Sequence, residues 1–411
     1  MGTQTSSTNS IMVAGGGIGG LASALGLAKV GMRVTLLERS AELGEIGAGI
    51  QLAPNAFRAF DYLGVADNVR DVGIFIETLT MMDAMTADRI ASVPLDEEFL
   101  RRFGNPYAVV HRGELHRCLL RACEAHANIE LKTDSEVVDY VQDAGSVTIK
   151  LANGRSITGS ALVAADGLMS RMRQKVVNDG VPRVTGHTSY RSVIPIELMP
   201  EDLRWNRMTI WVGPKCHLVH YPISDWKLFN LVVTAHNDAP EAISGRPVSH
   251  EEVARSFTHI HETPLKIIEH GSDWKMWVLC DRDPVTTWRD GRVVLLGDAA
   301  HPMRQYLAQG ACMALEDAVQ LSREVEQSPG HIEQAFEAYR LARIERTARV
   351  QVDSRRIGDA IFHAEGDAAR RRNEIMRSLS AADYYDYMDW LYGHDVSAIE
   401  GRPANTAIEV S

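Results

Sequence analysis

Two groups of residues in this 411-residue chain combine types and spacings that chemistry can use. The first is Gly15-Gly16-Gly17-Ile18-Gly19-Gly20, a G-x-G-x-x-G run on Gly15, Gly17 and Gly20 that follows an apolar run at 11–14. Glycine there serves a tight turn, close backbone approach to a pyrophosphate and close packing of helix on strand. Glu38, 18 residues past Gly20, stands where a carboxylate accepts the hydroxyls of a ribose. The second group is His217-Leu218-Val219-His220-Tyr221. On an extended strand His217, Val219 and Tyr221 share one face and His220 takes the other. That sets an imidazole beside a phenol, and histidine titrates near neutrality, which suits brief storage of a proton.

Placing the glycine run requires a β-α-β unit. Residues 11–14 read as a strand, 21–29 carry small and apolar residues at helical spacing, and 34–37 form a second strand ended by Glu38 and Arg39. The helix amino terminus past Gly20 offers unpaired N–H groups and a positive dipole end to phosphates. A second glycine-rich stretch, 44–52, includes Gln51 and is too flexible for a packed helix. Arg112 opens a helix reaching about residue 126, and an arginine at a helix start is commonly solvated. Segments 137–141, 147–151 and 161–165 read as strands, with Asn153-Gly154 as a turn, and the last runs into Asp166-Gly167.

From about 186 to 277 the texture changes. Strand-like segments 209–213, 217–221 and 227–234 alternate with Pro- and Asp-rich turns, which predicts an antiparallel sheet as a second domain. The apolar run 293–296 then feeds Gly297-Asp298-Ala299-Ala300-His301-Pro302, and 315–325 and 332–350 read as amphipathic helices. The expected division is 10–185, 186–277, 278–365 and a helical tail 366–411. That tail, with Tyr384, Tyr385, Tyr387, Trp390 and Tyr392, is aromatic enough to pack on the body or on a second subunit.

A net charge of −11 and a pI near 5.8 argue against nucleic-acid and anionic-membrane surfaces, though not against a small anionic substrate in a local pocket. Five scattered cysteines without a C-x-x-C pair read as reduced thiols, and no metal-ligand pattern stands out. Residues 1–9 lack the basic and apolar regions of a signal peptide and read as a loose tail. No stretch reaches the roughly 18 apolar residues of a membrane span. The expectation is a soluble cytoplasmic protein with no membrane insertion.

Between the glycine run and Gly297-Asp298 lies Asp166-Gly167-Leu168-Met169-Ser170-Arg171-Met172-Arg173, a D-G-x-x-S-x-x-R pattern. The three motifs, in this order and at these separations, resemble the single-component FAD-dependent aromatic hydroxylases over most of the chain. The resemblance implies an α/β fold: a Rossmann-like FAD-binding domain, a second and mainly antiparallel β-sheet substrate domain, and C-terminal helices. An NAD dehydrogenase also needs only one glycine fingerprint. In the family, however, the aspartate equivalent to Asp298 meets the flavin's ribityl chain. The helix from Gly310-Ala311 likewise aims its positive end at the reduced ring. FAD is thus the implied resident cofactor, and NADH or NADPH a transient co-substrate. Gly15, Gly17, Gly20, Glu38, Arg39 and Gln51 would line the FAD, as would Arg112, Asp166, Gly297, Asp298, Gly310 and Ala311.

In such hydroxylases reduced flavin and dioxygen give a C4a-hydroperoxide whose distal oxygen attacks an electron-rich ring, and a phenolate is far more reactive than a phenol. The pocket must exclude water and hold a proton acceptor beside the substrate hydroxyl. Relatives commonly carry proline where this chain has Gln305. The stretches 305–318 and 213–222 are similar to those of members that convert 3-hydroxybenzoate to 2,5-dihydroxybenzoate (gentisate). That likeness implies His217 as acceptor of the phenolic proton and Gln305 as a holder of that oxygen. Tyr221 and Tyr107 would bound or bind the ring and carboxylate. His301 is expected to belong to its turn rather than act as a base, and Met303-Arg304 are less apolar than such a loop suggests. Two other readings fit the same residues: a decarboxylating hydroxylase of salicylate or 6-hydroxynicotinate, and a flavoprotein oxidase or redox sensor.

Overall fold

The computed structural model describes residues 10–44 and 48–398. The expected amino-terminal tail and the centre of the second glycine stretch lie outside the described residues. The opening strand Ser10–Ala14 is buried on both sides, as its apolar sequence requires, and lies between Arg33–Leu37 and Ala161–Ala164 in a six-stranded sheet. Ile129–Lys132 closes one edge, while Val293–Leu295 and the short Arg289–Asp290 close the other. All pairings are parallel except the last, the arrangement expected of a sheet covered on its faces by helices. The helix Ile18–Lys29 packs on Gly310–Gln327 closely enough that a Cβ on Gly26 would stand 2.1 Å from Ser322 Oγ.

A second sheet of eight strands faces this body. Its order is Ser244–Pro247, Ser272–Asp281, Arg183–Pro195, Leu228–Ala239, Cys216–Ile223, Arg207–Gly213, Thr78–Asp83 and Arg89–Pro94. It is antiparallel apart from the pairing of Arg207–Gly213 with Thr78–Asp83. Two strands therefore come from inside the segment 10–185, which a division at 185/186 does not anticipate. The physical reason is the edge: without the Thr78–Pro94 hairpin, Arg207–Gly213 would leave its backbone donors and acceptors unpaired. Two buried clusters result, one between the parallel sheet and its helices and one on the far side of the larger sheet around Trp211, Phe229 and Trp274.

The long helix Ile332–Ile357 ends in a single π turn, Gly358–Phe362, before the helices Gly366–Ser378 and Ala381–Tyr392. The aromatic tail packs on the body. Tyr385 meets Phe99 and Phe103 edge-on at 5.7 and 5.9 Å, and Arg349 lies 3.7 Å over the Trp390 ring. No helix among the described residues is long and apolar enough to cross a membrane.

Candidate active site

A cavity of about 1270 Å³ runs between the two sheets from the glycine turn to the strand Cys216–Ile223. At its first end Gly15 holds φ +110°, and a Cβ there would stand 2.3 Å from the Ala165 carbonyl oxygen. A Cβ on Gly20 would stand 1.9 Å from the Gly15 carbonyl oxygen. Both contacts are with backbone, which cannot swing aside, so only glycine fits. The Gly16 N–H donates to Glu38 Oε2 (2.7 Å) and the Ser40 N–H to Oε1 (2.9 Å). Burial raises the Glu38 pKa, but these N–H groups outweigh it and hold the carboxyl below its usual value, ionised and able to accept from hydroxyls. Arg39, Gln51 and Arg112 also line the cavity, and Arg112 opens the helix Arg112–Glu124.

Asp166 and Arg173 of the central motif act locally. Asp166 accepts from the Ser170 hydroxyl (2.5 Å) and from the N–H groups of Arg171 and Met172 (3.0 and 3.3 Å), while burial pushes its pKa up. Fully buried Arg173 pairs with Asp179 and donates to the carbonyls of Ala299 and Ala300 at 3.1 and 2.5 Å. It thereby clamps the turn that carries Asp298. From the other side Asp317 accepts from the Gly297 N–H (3.0 Å) and from His301 Nε2 (2.5 Å), and pairs with Arg343 at 2.7 Å. His301 is thus held in the turn and turned away from any substrate. Asp298, Gly310 and Ala311 reach the cavity where the helix Gly310–Gln327 begins.

At the second end His217, Val219 and Tyr221 face the cavity, as strand alternation requires. His220 is buried on the other face and accepts from Trp211 Nε1 at 3.1 Å. His217 Nδ1 lies 2.8 Å from His363 Nε2, and its Nε2 has no protein partner among the described residues. Burial first, and then His187, pull the His217 pKa down to about 3, so the imidazole is neutral and does not titrate near neutrality as its residue type alone suggested. Tyr107 donates to Gln51 Oε1 (2.6 Å), and burial drives the pKa of Tyr107 and Tyr221 up, keeping both as phenols. The close fit extends to backbone: a Cβ on Gly49 would stand 2.4 Å from the Tyr221 ring.

Gln305 lies across from this face with its amide fixed. A guanidinium can only donate, so Arg191 Nη2 at 3.2 Å identifies Oε1, and Nε2 then donates to Thr234 Oγ1 at 3.0 Å. One amide N–H remains for a ligand. Arg191 itself was not legible as a site residue. No carboxylate pairs with it among the described residues, its Nε is buried without a partner, and enclosure, then Arg112, lower its pKa to about 10. A cation without an anion in a cavity is a site for an anionic ligand. The signal was an arginine at an interior position of the strand Arg183–Pro195. His363, 146 residues from His217, left no sequence signal. Arg304 proved structural, pairing with Asp281 and Asp359 at 3.0 and 3.1 Å, which accounts for its place in an otherwise apolar loop.

The glycine cradle that any Cβ would fill, the ionised Glu38 and the long cavity fit FAD in both shape and charge. Residues 8–335 match the family described as FAD binding domain. The chain belongs to the single-component FAD-dependent hydroxylases. It is 52% identical over 387 residues to 3-hydroxybenzoate 6-hydroxylase 1 of Aquipseudomonas alcaligenes, covering 94% of this chain and 98% of that protein. Identity to 3-hydroxybenzoate 6-hydroxylase of Polaromonas naphthalenivorans (strain CJ2) is 44%, over 94% and 96% of the two chains. Among solved structures, a salicylate hydroxylase substrate complex is similar at a TM-score of 0.81 and 25% identity, over 95% and 97% of the two chains. The α/β fold with both sheets and C-terminal helices, and FAD as cofactor, follow from this membership. The chain is an FAD-dependent aromatic monooxygenase.

Proposed function

We propose that this hydroxylase converts 3-hydroxybenzoate to 2,5-dihydroxybenzoate, keeping the carboxylate, with NAD(P)H as reductant and dioxygen as oxidant. The observation that carries the reading is the pairing, in one cavity, of a neutral His217 with an open Nε2 and a Gln305 with one free N–H. The two 3-hydroxybenzoate 6-hydroxylases above, alike over nearly their whole length, support the same substrate. Bound FAD supplies reducing equivalents from NAD(P)H and an electrophilic oxygen from dioxygen. Gly15 and Gly17 would admit its pyrophosphate, Glu38 its ribose, and Asp298, Gly310 and Ala311 its ring end; Arg39, Gln51, Arg112, Asp166 and Gly297 complete the lining. Gly20, expected on the lining, is instead buried behind the turn, where its missing Cβ lets the helix close on the Gly15 carbonyl.

The chain's own residues act on the phenol. His217 accepts the phenolic proton at Nε2, for which Nδ1 must carry the other proton, and the bond to His363 Nε2 supports that tautomer. The free N–H of Gln305 donates to the phenolate oxygen. Arg191, bonded to Gln305 Oε1, adds positive charge that favours phenolate over phenol. Tyr107 and Tyr221, both phenols, bound the ring; Tyr221 can donate its O–H to the carboxylate, while the Tyr107 O–H is given to Gln51 Oε1. The strand hairpin Thr78–Pro94 supplies apolar wall through Leu79, Met81, Ala91 and Val93, which excludes water. The acidic balance and unpaired cysteines support a cytoplasmic enzyme, and exposed Ile375 and Tyr387 on the last two helices support a homodimer.

Incubation with FAD, NADH and a panel of hydroxybenzoates, followed by product analysis, tests the reading. The expected product from 3-hydroxybenzoate is 2,5-dihydroxybenzoate, in step with substrate-stimulated oxygen uptake. Carbon dioxide released in step with NADH oxidation would move the chain to the decarboxylating hydroxylases, and NADH oxidation without any hydroxylated product would favour an oxidase.

A further inference from the structure

Behind His217 stands a row of histidines that the hydroxylation reading does not use. His363, at the end of the π turn Gly358–Phe362, is buried; its Nε2 faces His217 Nδ1 at 2.8 Å, while its Nδ1 is buried without a partner. The His187 ring stacks between those of His363 (5.0 Å, 23°) and His236 (4.3 Å, 28°). His236 is half-exposed, lies 3.3 Å from Asp238 Oδ1, and lines a second cavity of about 430 Å³ with Pro214, Lys215, His259 and Glu365. The row therefore joins the substrate end of the large cavity to a different opening.

One nitrogen from each of His187, His236 and His363 lies within 4.8 Å of the others, which raises the question of a metal ion. The stacking argues against it. Ligand lone pairs lie in the ring plane, so near-parallel rings do not converge on one ion at about 2.0–2.1 Å. A gap of up to 4.8 Å instead suits one bridging water, with two hydrogen bonds of roughly 2.8 Å each. The unpartnered Nδ1 of His363 is the kind of buried polar group that a structure keeps at a cost, and π turns recur at functional sites.

We propose that His363 and His236 form a proton relay that carries the phenolic proton from His217 to the second cavity, so that the proton leaves without crossing the filled active site. This rests on the reading of His217 as acceptor. The substrate O–H bond breaks as N–H forms at His217 Nε2. The Nδ1 proton of His217 passes to His363 Nε2, and the Nδ1 proton of His363 passes through one water to His236 and on to solvent. One proton is released for each phenolate formed, no electrons move, and the reverse path returns a proton to the product. His187, held at Nδ1 by the Tyr306 hydroxyl, positions the rings on either side. The groups facing His363 are His217, His187, His236, Tyr306 and Arg304; the nearby carboxylate of Asp281 is taken up by Arg304 and Arg355 at 3.0 and 2.8 Å. Among these, imidazoles alone offer a continuous path. His363 and His236 are positioning residues, since neither touches the substrate.

The test mixes FAD-loaded enzyme with 3-hydroxybenzoate in weak buffer containing a pH indicator, and follows proton release by stopped flow. Product from the same preparations is measured with NADH. Glutamine keeps hydrogen bonding but cannot relay a proton. His363→Gln and His236→Gln should therefore each slow release about tenfold or more, with KM and FAD content little changed. Added imidazole should restore the rate in His236→Gln, because that site opens to the second cavity. Proton release at the wild-type rate in both variants, or product formation by wild type with no proton release on binding, would overturn the relay. Release on binding without any 2,5-dihydroxybenzoate would leave the relay standing and sink the substrate assignment. His236→Gln lies at the cavity edge and keeps the test sound even where His363→Gln folds poorly.

Discussion

The pair His217 and Gln305 gives the most demanding test of the site. His217→Ala removes the one open ring nitrogen on the cavity face of Cys216–Ile223, since His220 is bonded to Trp211 on the other face. Loss of a positioned proton acceptor costs about 100-fold or more in rate, which is about 2.7 kcal/mol at ~1.36 kcal/mol per tenfold. Gln305→Ala removes one donor to a charged oxygen, worth about 1.5–3 kcal/mol. Arg191, 3.2 Å from Gln305 Oε1, loses its acceptor in that variant and is free to turn toward the same oxygen. The loss should therefore sit at the low end, roughly tenfold. Two independent losses would multiply to about 1000-fold, but both groups serve one atom, so the double variant should lose clearly less, about 200-fold. FAD content should stay at the wild-type level in all three. Flavin reduction by NADH should suffer less than hydroxylation, so peroxide formed per NADH consumed should rise. The assay is product formation and peroxide, each against NADH oxidation. His217→Ala that hydroxylates 3-hydroxybenzoate at the wild-type rate with unchanged coupling, or a double variant equal to the product of the singles, refutes the shared-oxygen reasoning.

Gly15→Val should give colourless protein that takes up no FAD, because its Cβ would fall 2.3 Å from the Ala165 carbonyl oxygen at a φ of +110°; a yellow variant with wild-type FAD content would be inconsistent with the cradle. Arg343→Leu should destabilise the fold by the ~3–5 kcal/mol expected for stranding buried carboxylates, read as a lower unfolding temperature, since Arg343 pairs with Glu316 and Asp317 at 2.6 and 2.7 Å with all three buried. Burial alone would raise both carboxyl pKa values, yet Arg343, with His301 at Asp317 and Arg346 at Glu316, brings each down to about 2 from 3.8 and 4.5. Depressed folded-state values mean stability that is present above the usual carboxyl range and lost as pH falls toward 2. The cost of Arg343→Leu should accordingly be largest near neutral pH and shrink as pH falls through the carboxyl range, as followed by thermal unfolding of both proteins at a series of pH values.

How much of this was legible depends on the range of the interaction that makes each feature. The β-α-β opening is local, and its strands and helix formed within a few residues of where spacing placed them: Ser10–Ala14, Ile18–Lys29 and Arg33–Leu37. The strand Cys216–Ile223 is also local, and period two alone put His217 and Tyr221 on the cavity face with His220 behind. The pairing of Thr78–Asp83 with Arg207–Gly213 is not local, and nothing in either segment names the other.

The same distinction runs through the site. A sequence can show that a histidine has a face, but what stands behind that face is decided by chain returning from far away. His217 meets His363 only because the long helix Ile332–Ile357 ends in a π turn, and Gly358 permits that turn to press on the Tyr306 ring, where a Cβ would lie 2.4 Å from ring carbons. Tyr306 in turn holds His187, and His187 stacks on His236. Each contact is elementary, yet their order in space follows from packing across the two sheets. The motifs therefore reveal the cofactor's cradle, which one β-α-β unit builds largely by itself, more fully than they reveal the proton's surroundings, which four distant segments build together.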